Sequence, residues 1–524
     1  MLIKTFGSAV YGVEAVTITV EVNVTEGLHT FVVGLADNAV KESIPRVESA
    51  IRSSGYYMPR TRLVINLAPA GIRKSGAAFD LSIALGVLAA SDQLTPFLSL
   101  KDYVIIGELG LDGSILPVKG ALPIAIQTHR EGFKGLIVPQ QNAQEAAVVN
   151  GLPVFAFSHL REAIRFFHDP ASPRTPVSRT KEHHLPIPGG PGLDFSDVKG
   201  QENIKRALEI SAAGGHNALL IGPPGSGKTM LAQRLPSILP PLSLQEALET
   251  TKIHSVAGKL PAHGGLITQR PFRSPHHTIS NIALIGGSSV PQPGEVSLAH
   301  NGVLFLDELP EFQRSTLEVM RQPMEDRKVT ISRARMSLDL PAGFMLLASM
   351  NPCPCGYYNH PDRECTCPPG AVSKYLNKIS GPLLDRIDLH VEVVPVPYLQ
   401  LAAQQGGESS QRIRERVIAA REVQRMRYEH LGQTANPQDM KYAGIYCNAQ
   451  IGSRRMRHFC AIDAGGEQLL QAAMDKFKLS ARAHDHILKI SRTIADLAMS
   501  ETIRPEHLAE AIRFRSLDRE GWAG

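Results

Sequence analysis

The stretch Gly222-Pro-Pro-Gly-Ser-Gly-Lys-Thr229 constrains the fold of this chain more than any other segment. It matches Gly-x-x-x-x-Gly-Lys-Ser/Thr, a loop whose glycines let backbone N–H groups close around phosphate at the N-terminus of a helix. The apolar run Ala218 to Ile221 before it predicts a buried strand, and Thr229 to Ile238 after it predicts a helix. This strand–loop–helix order predicts a nucleotide site in an α/β domain.

Two residues of this loop have predicted chemical roles. Lys228 adds positive charge to the β- and γ-phosphates, and the Thr229 hydroxyl ligates Mg²⁺. We therefore expect ATP and Mg²⁺ as cofactors. The predicted nucleotide-binding residues of the loop are Gly222, Pro223, Pro224, Gly225, Ser226, Gly227, Lys228 and Thr229.

A second predicted strand ends in two carboxylates. The apolar run Val303 to Leu306 is followed by Asp307 and Glu308. Phosphate hydrolysis needs one anionic oxygen near the metal and another that polarises the attacking water, and we assign these tasks to Asp307 and Glu308 respectively. By itself a strand that ends in Asp-Glu is more often a strand cap, but its place after a phosphate loop favours the catalytic interpretation.

Three later residues complete the predicted site. Asn351 follows a predicted strand, Phe344 to Ser349, and can hydrogen-bond the γ-phosphate or the attacking water. Arg386 can reach the γ-phosphate of a neighbouring subunit as an arginine finger. Arg482 lies at the start of a predicted helix, where its charge can report whether ATP or ADP is bound. Each residue alone is more typical of a surface or salt-bridge residue, but their order along the chain favours the joint interpretation.

Together these residues resemble the AAA+ ATPases, specifically the magnesium-chelatase-like family of YifB/ComM proteins. The resemblance covers nearly the whole chain. It includes four further strings, which are Phe195 to Gln201, Arg270 to His277, Pro293 to Gly302 and Ile379 to Asp388.

The resemblance implies a hexameric ring with ATP between subunits, so that Arg386 acts in trans, whereas Arg482 acts either in cis or in trans. It also implies an ATP-driven DNA helicase that promotes branch migration in natural transformation. The alternative is an AAA+ ATPase of the protein-remodelling or chelatase type, without DNA translocation. An ATP-dependent protease is a third class, and it is disfavoured by the N-terminal residues.

Two N-terminal strings, Leu67 to Leu85 and Gly107 to Gly120, resemble the catalytic domain of Lon proteases. That domain needs a nucleophilic Ser and a Lys of lowered pKa that acts as its base. The Ser position holds Gly76-Ala77-Ala78 in this chain, and the Lys position falls at about Leu122. We therefore expect a structural or DNA-facing domain without peptidase activity. Nearby residues that do not stand at the matching positions are Ser75, Ser82 and Lys119.

The chain thus divides into three predicted domains and a linker. They are a Lon-protease-like α+β domain over 1–167, a Pro-rich linker over 168–192, an AAA+ α/β core with a parallel sheet over 193–395, and a helical lid over 396–524. The linker is predicted because its six prolines cannot occupy a helix or an inner strand. Elements predicted from periodicity are a strand over 16–24, helices over 37–53 and 80–90, and a final helix that starts at Pro505.

The predicted DNA contacts lie on a hairpin and on a basic helix. Arg327 to Leu340 predicts two short strands around Ser332 to Arg335, at a position that holds a pore hairpin in related ring motors. We assign phosphate contacts to Lys328, Arg333 and Arg335, and the alternative is a solvated hairpin with exposed arginines. The basic helix is either DNA-facing or solvated. Its arginines are Arg412, Arg414, Arg416, Arg421, Arg425 and Arg427.

Four cysteines follow Asn351 with the spacing Cys-x-Cys-x9-Cys-x-Cys. Four thiolates in one loop, 353–367, suit a structural tetrahedral Zn²⁺ site. The Cys-x-Cys pairs are tighter than the usual spacing, and the alternative is four reduced thiols in a Pro-rich loop. The predicted ligands are Cys353, Cys355, Cys365 and Cys367.

Composition excludes several other classes of protein. A net charge of +5 over 524 residues is compatible with a nucleic-acid partner without arguing for one, and six cysteines are too few for a disulfide scaffold. No uninterrupted apolar core precedes Glu14, and the longest apolar run, Leu81 to Ala90, is far shorter than the roughly 18 residues of a membrane helix. We expect a cytoplasmic protein whose partners are DNA and further copies of itself, with no membrane.

Overall fold

The structure is a computed structural model, and the chain in it divides into two compact units. The first comprises Met1–His184 with Leu244–Ile267, and the second comprises Leu185–Ser243 with Thr268–Gly524. Residues outside the description are 36, 73, 75, 179–192, 261–264, 288–290, 334–335, 361, 397–405, 435–444 and 516–524. Within the described part of the chain, no helix combines the length and the apolar character that a bilayer crossing requires.

The first unit contains a seven-stranded mixed sheet in the order β3-β4-β2-β1-β5-β8-β9, with a small β6-β7 pair beside it. Strand β2 runs antiparallel to β1 and β4, and the other neighbouring strands are parallel. The strands are β1 Leu2–Tyr11, β2 Glu14–Thr25, β3 Thr30–Val33, β4 Arg62–Ala68, β5 Tyr103–Ile105, β6 Glu108–Leu109, β7 Ile115–Leu116, β8 Gly135–Pro139 and β9 Val154–Phe157. The helices are Asn38–Lys41, Ser43–Ser53, Asp80–Ala90, Ala121–Arg130, Ala143–Ala146, Leu160–His168 and Leu244–Ala257.

The apolar pattern of the sequence explains the core of this unit. Ile18, Val20 and Val22 alternate along β2 and are fully buried, because successive side chains of a strand point to opposite faces of the sheet. Helix Asp80–Ala90 has the predicted bounds, and all of its residues are buried. The predicted strand over 16–24 is confirmed, whereas the predicted helix over 37–53 is two consecutive helices. The predicted linker begins where helix Leu160–His168 ends, and its part over 179–192 lies outside the described residues.

The helix Leu244–Ala257 belongs to the first unit, although it lies within the interval 193–395 that was predicted as one continuous domain. The Gly120 N–H donates to the Ser255 carbonyl oxygen at 3.3 Å, and the Ser255 hydroxyl donates to buried Glu145. Lys252 also pairs with Glu14 at 3.0 Å. These partners lie more than 100 residues earlier, so local periodicity could not assign the helix to its unit.

The second unit is built on a five-stranded sheet in the order β11-β14-β17-β10-β18, and every neighbouring pair is parallel. The strands of this unit are β10 Ala218–Ile221, β11 Phe272–Arg273, β12 Gly286–Gly287, β13 Gln292–Pro293, β14 Val303–Leu306, β15 Lys328–Arg333, β16 Met336–Pro341, β17 Met345–Met350 and β18 Leu389–Glu392. The helices before residue 400 are Glu202–Gly214, Lys228–Arg234, Asn281–Ile285, Glu295–Leu298, Arg314–Glu318, Arg321–Asp326, Ala371–Leu376 and Gly381–Leu384.

The central position of β10 follows from its composition. Each of its four residues is buried, and Ala218 pairs with Leu347 of β17 on one side and with Leu389 of β18 on the other. Strands buried on both faces read as continuous apolar runs, as β10 and β14 do. Because parallel strands share one direction, the loops that follow β10, β14 and β17 leave from the same edge of the sheet.

The C-terminal part of the second unit is helical. Its helices are Ser410–Thr434, Ser453–Phe459, Ala464–Phe477, Ala481–Leu497 and Pro505–Arg513. Ile487, Ile490 and Ile494 are spaced three and four residues apart and form one buried face of their helix. Pro505 starts the final helix as predicted. Proline is tolerated there because an N–H at the first helical position would have no intrahelical acceptor, so its absence costs no hydrogen bond.

The basic helix Ser410–Thr434 differs from its prediction, because several of its arginines hold the helix to the rest of the unit. Arg416 pairs with nearly buried Glu209, and Arg421 donates to the Ala212 carbonyl oxygen at 2.9 Å. Arg427 donates to the fully buried carboxylate of Asp496 at 3.0 Å. Arg421 and Arg427 therefore do not belong to a solvated face, whereas 42% of the Arg416 side chain is exposed, and contact of this helix with DNA stays a prediction.

We expect Arg427→Ala to destabilise the protein by about 2 kcal/mol, because the buried Asp496 carboxylate loses one of its two arginine partners and keeps Arg492, at 3.0 Å, and Asn448. Thermal unfolding should show a melting temperature lower by roughly 4–8 °C. Arg412→Ala, at an exposed position of the same helix, is the matched control and should cost less than about 0.5 kcal/mol. Equal shifts in the two variants would contradict the buried ion pair.

Candidate active site

The phosphate loop connects β10 to helix Lys228–Arg234, as the sequence predicts. Gly225 and Gly227 have φ values of +76° and +87°, a region that favours glycine. Gly222 is required for a different reason, because a Cβ atom there would lie 2.4 Å from the Val393 carbonyl oxygen. The loop thus places its backbone N–H groups at the N-terminus of the helix, where they can bind phosphate.

Lys228 is nearly buried at the start of this helix. Its Nζ donates to the carbonyl oxygens of Gly222 at 2.7 Å and Pro223 at 2.9 Å, and to Oδ1 of Asn351 at 3.2 Å. Burial lowers the pKa of Lys228, and the charges of Asp307 and Glu308 oppose that shift. The structure therefore brings together predicted residues from three separate segments of the chain.

The candidate magnesium ligands lie side by side. The Thr229 hydroxyl donates to Oδ2 of Asp307 at 2.7 Å, and Ser349, from the buried strand β17, donates its hydroxyl to Oδ1 of the same carboxylate. A hydroxyl and a carboxylate are the oxygen donors that Mg²⁺ prefers beside nucleotide phosphates. The donor set fits the ion, and Ser349 fixes the orientation of Asp307.

Glu308 lies at the end of β14 in a left-handed backbone conformation, with φ +55°. Its side chain is 58% exposed, which leaves the carboxylate accessible to water. The His277 Nδ1 lies 3.5 Å from the Glu308 carboxylate, and the His276 ring lies against that of His277 with centroids 4.1 Å apart. His277 is thus a site residue that received no predicted role, and its adjacent histidine pair was the available signal.

Gln201 provides a further site residue without a predicted role. Its Nε2 donates to the Ser226 carbonyl oxygen of the phosphate loop at 2.9 Å. Its Oε1 is buried and has no hydrogen-bond partner among the residues described. A buried acceptor without a partner is costly, so this atom is suited to a donor from a bound nucleotide.

Arg386 lies at the opposite edge of the parallel sheet. Asn217, the residue before β10, donates to the Arg386 carbonyl oxygen at 3.0 Å, which places Arg386 at the amino ends of β10 and β18. The four residues of β10 separate that edge from the phosphate loop by about 13 Å. The Arg386 guanidinium pairs with Glu325 at 2.5 Å.

Arg482 lies at the same edge as Arg386. Its guanidinium is 3.5 Å from the Glu325 carboxylate and 3.8 Å from that of Asp385. Both arginines that were predicted to report on the γ-phosphate therefore share one carboxylate, on the side of the sheet away from their own phosphate loop.

The predicted DNA hairpin is present as the antiparallel pair β15–β16. Arg333 ends β15 opposite Met336, its side chain is outside the description, and Arg335 lies outside the described residues. Lys328 lies at the base of the hairpin and pairs with Asp339 at 2.6 Å. A carboxylate thus lies beside the charge of Lys328, and contact of Lys328, Arg333 and Arg335 with DNA phosphate stays a prediction.

Among the described residues, the positions that match the Ser and the Lys of Lon proteases do not hold a serine–lysine pair. The Leu122 side chain, at the predicted Lys position, is fully buried. Ser82 is buried and donates its hydroxyl to the Phe79 carbonyl oxygen at 2.8 Å, while Lys119 is exposed and Ser75 lies outside the described residues. The absence of peptidase activity stays a prediction.

Three family profiles match the chain in succession. "Subunit ChlI of Mg-chelatase" matches residues 20–142, "Magnesium chelatase, subunit ChlI" matches 194–401, and "Magnesium chelatase, subunit ChlI C-terminal" matches 407–515. The YifB protein of Escherichia coli strain K12 is 43% identical over 518 residues, which cover 98% of this chain and 96% of that protein. The competence protein ComM of Haemophilus influenzae is 41% identical over 517 residues, 98% of this chain and 97% of that protein.

This chain belongs to the YifB/ComM family of magnesium-chelatase-like AAA+ proteins. The predicted family and fold class are confirmed, with a parallel-strand AAA+ sheet and a helical C-terminal region. Lon protease 2 of Bacillus subtilis is 32% identical over 157 residues, 27% of each chain, so the similarity to Lon proteases is partial. Membership of this family supports ATPase chemistry at the phosphate loop.

The hydrogen bond between Ser349 and Asp307 predicts a change in metal requirement. Ser349→Ala frees Asp307 to turn away from Thr229, so the Mg²⁺ concentration for half-maximal ATP hydrolysis should rise roughly tenfold. A Mg²⁺ titration at saturating ATP measures this. Ser297→Ala is the matched control, because Ser297 is buried in the same unit and its hydroxyl has no hydrogen-bond partner among the described residues. The same requirement in both variants would contradict a positioning role for Ser349.

Proposed function

We propose that this chain is an ATP-driven ring motor that acts on DNA and cleaves ATP where one copy meets the next. Within the family, we infer a hexamer that works as a branch-migration helicase in natural transformation. Lys228, Thr229 and Asp307 bind MgATP, Glu308 polarises the attacking water, and Asn351 contacts the water or the γ-phosphate.

The position of two arginines is the observation that carries this proposal. Arg386 and Arg482 lie at the amino edge of the sheet, while the phosphate loop lies at the carboxyl edge. Their charges are needed where negative charge develops on the γ-phosphate. A second copy that presents its amino edge to the phosphate loop supplies both at once. The shared carboxylate of Glu325 therefore favours action in trans for Arg482 as well as for Arg386.

Two features support DNA as the partner. Arg333 ends strand β15 of the hairpin and Arg335 follows two residues later in the sequence, and basic side chains in such a segment suit contacts to phosphate, which supply a large share of the affinity for DNA. The similar ComM protein is named for competence, which is the uptake of DNA by cells. The alternative is an AAA+ ATPase of the chelatase or protein-remodelling type.

Two variants separate nucleotide binding from hydrolysis. Lys228→Ala removes the charge at the phosphates and should weaken ATP binding, whereas Glu308→Gln should bind ATP and stall hydrolysis by at least roughly a hundredfold. Binding of a fluorescent ATP analogue and phosphate release measure the two effects. If Glu308→Gln hydrolyses ATP at the original rate, the assignment of the base is wrong.

A mixing experiment tests the action of Arg386 in trans. Arg386→Ala alone should keep nucleotide binding and lose roughly a thousandfold or more in turnover. Mixed with the equally inactive Lys228→Ala chain, it should regain activity, because some interfaces then join an intact phosphate loop to an intact Arg386. A mixture that forms the assembly and stays inactive would contradict action in trans.

Stimulation by DNA separates the two candidate functions. Single-stranded or branched DNA should raise ATP turnover, and Arg333→Ala with Arg335→Ala should reduce the salt dependence of DNA binding by about one unit of slope for each arginine that neutralises a phosphate. Lys476→Ala, at an exposed position of helix Ala464–Phe477 to which no DNA contact is assigned, is the control for charge alone. If DNA neither binds to the protein nor raises ATP turnover at moderate salt, the remodelling function is favoured.

A further inference from the structure

The four cysteines that follow Asn351 come together in three dimensions. Their Sγ atoms all lie within 4.8 Å of one another. The Cys353 sulfur is 3.3 Å from that of Cys355 and 3.7 Å from that of Cys365, and the Cys355 and Cys365 sulfurs are 3.5 Å apart. Zinc bonded to four thiolates at about 2.3 Å sets its sulfurs about 3.8 Å apart, so the cluster is close to the size of one such tetrahedron.

The backbone around the cluster is arranged to support thiolates. The Tyr358 N–H donates to the Cys353 sulfur at 3.3 Å, and the Cys355 N–H donates to the Cys367 sulfur at 3.4 Å. Hydrogen bonds of this kind orient metal-bound sulfur and stabilise its charge. Cys353, moreover, is fully buried.

This cysteine loop, residues 352–370, also packs against the ATP site. It follows directly on Asn351, which accepts the hydrogen bond from Lys228. At Gly356, where φ is +85°, a Cβ atom would lie 2.5 Å from Cδ of Pro224, so the loop backbone packs directly on the phosphate loop. No helix or strand occurs among its described residues, so the hydrogen bonds of a regular element do not hold its shape.

We propose that Cys353, Cys355, Cys365 and Cys367 bind one Zn²⁺ ion that fixes the cysteine loop against the phosphate loop and thereby positions Asn351 and Pro224. The ion is structural, because all four tetrahedral positions are taken by protein thiolates. Its effect on turnover rests on the ATPase function proposed above, whereas its binding does not.

The metal site is tested first on the unaltered, tag-free full chain. Elemental analysis should find one zinc per chain, and exchange for Co²⁺ should give the visible absorption of tetrahedral cobalt thiolate. Iron in place of zinc, two disulfides, or four free thiols with no metal would each overturn the site. This measurement needs no variant, so a failure to fold cannot obscure it.

The positioning role is tested with Cys365→Ser combined with Cys367→Ser. We expect loss of the zinc and a fall of roughly tenfold or more in kcat for ATP. Cys447→Ala, at a buried cysteine outside the cluster, is the control and should keep the zinc. Far-ultraviolet circular dichroism establishes that the double variant is folded. The variant pair Cys365→His with Cys367→His, whose imidazoles can also bind zinc, should retain zinc and turnover, because the bound metal positions the loop.

The outcomes distinguish this inference from the proposed function. A folded, zinc-free double variant that hydrolyses ATP at the original rate overturns the positioning role. An unaltered chain that binds zinc but hydrolyses no ATP would contradict the proposed function and with it the positioning role, while the metal site itself would stand.

Discussion

The parallel pairing of β10 between β17 and β18 is the constraint on which the second unit depends. One direction for all five strands places every loop that follows a strand at one edge and every loop that precedes a strand at the other. The phosphate loop, the Asp307-Glu308 pair and Asn351 therefore meet, and Arg386 is kept away from them. The same topology brings the predicted ATP-site residues together and places Arg386 at the other edge, which is why we propose that a second copy supplies the arginine.

The separation of the phosphate loop from Arg386 and Arg482 affects the charge at the candidate ATP site. Lys228 is nearly buried, and the charges of Asp307 and Glu308 act on it, so the predicted site residues described within one copy include two carboxylates and one lysine. Cleavage of the γ-phosphate spreads further negative charge over its oxygens, which an added arginine stabilises strongly. At the opposite edge, Glu325 lies within 3.5 Å of both Arg386 and Arg482, and Asp385 lies 3.8 Å from Arg482, so both arginines have a partner within their own chain.

Local sequence predicted the parts of this structure that depend on local physics. Apolar runs located β10 and β14, and the glycines and Lys228 located the phosphate loop, because strand burial and phosphate binding each impose a short pattern. Arg427 shows the limit, since its partner Asp496 is 69 residues away and no periodicity reveals that a charge will be buried. The membership of helix Leu244–Ala257 in the first unit depends on equally distant partners.

The same limit applies to the candidate site. The role of Ser349 could not be predicted because it depends on β17 lying beside β14, although a hydroxyl in an otherwise apolar strand was a usable signal. The four cysteines were predicted from spacing alone, whereas their packing on the phosphate loop, made through the backbone at Gly356, was not.

The most direct measurement is ATP turnover per chain as a function of protein concentration, with the assembly state determined at each concentration by analytical ultracentrifugation. We expect turnover to fall with dilution in step with dissociation, until the separated chains retain roughly a thousandth or less of the assembled rate. Single chains that hydrolyse ATP as fast as the assembly would contradict a site shared between two copies.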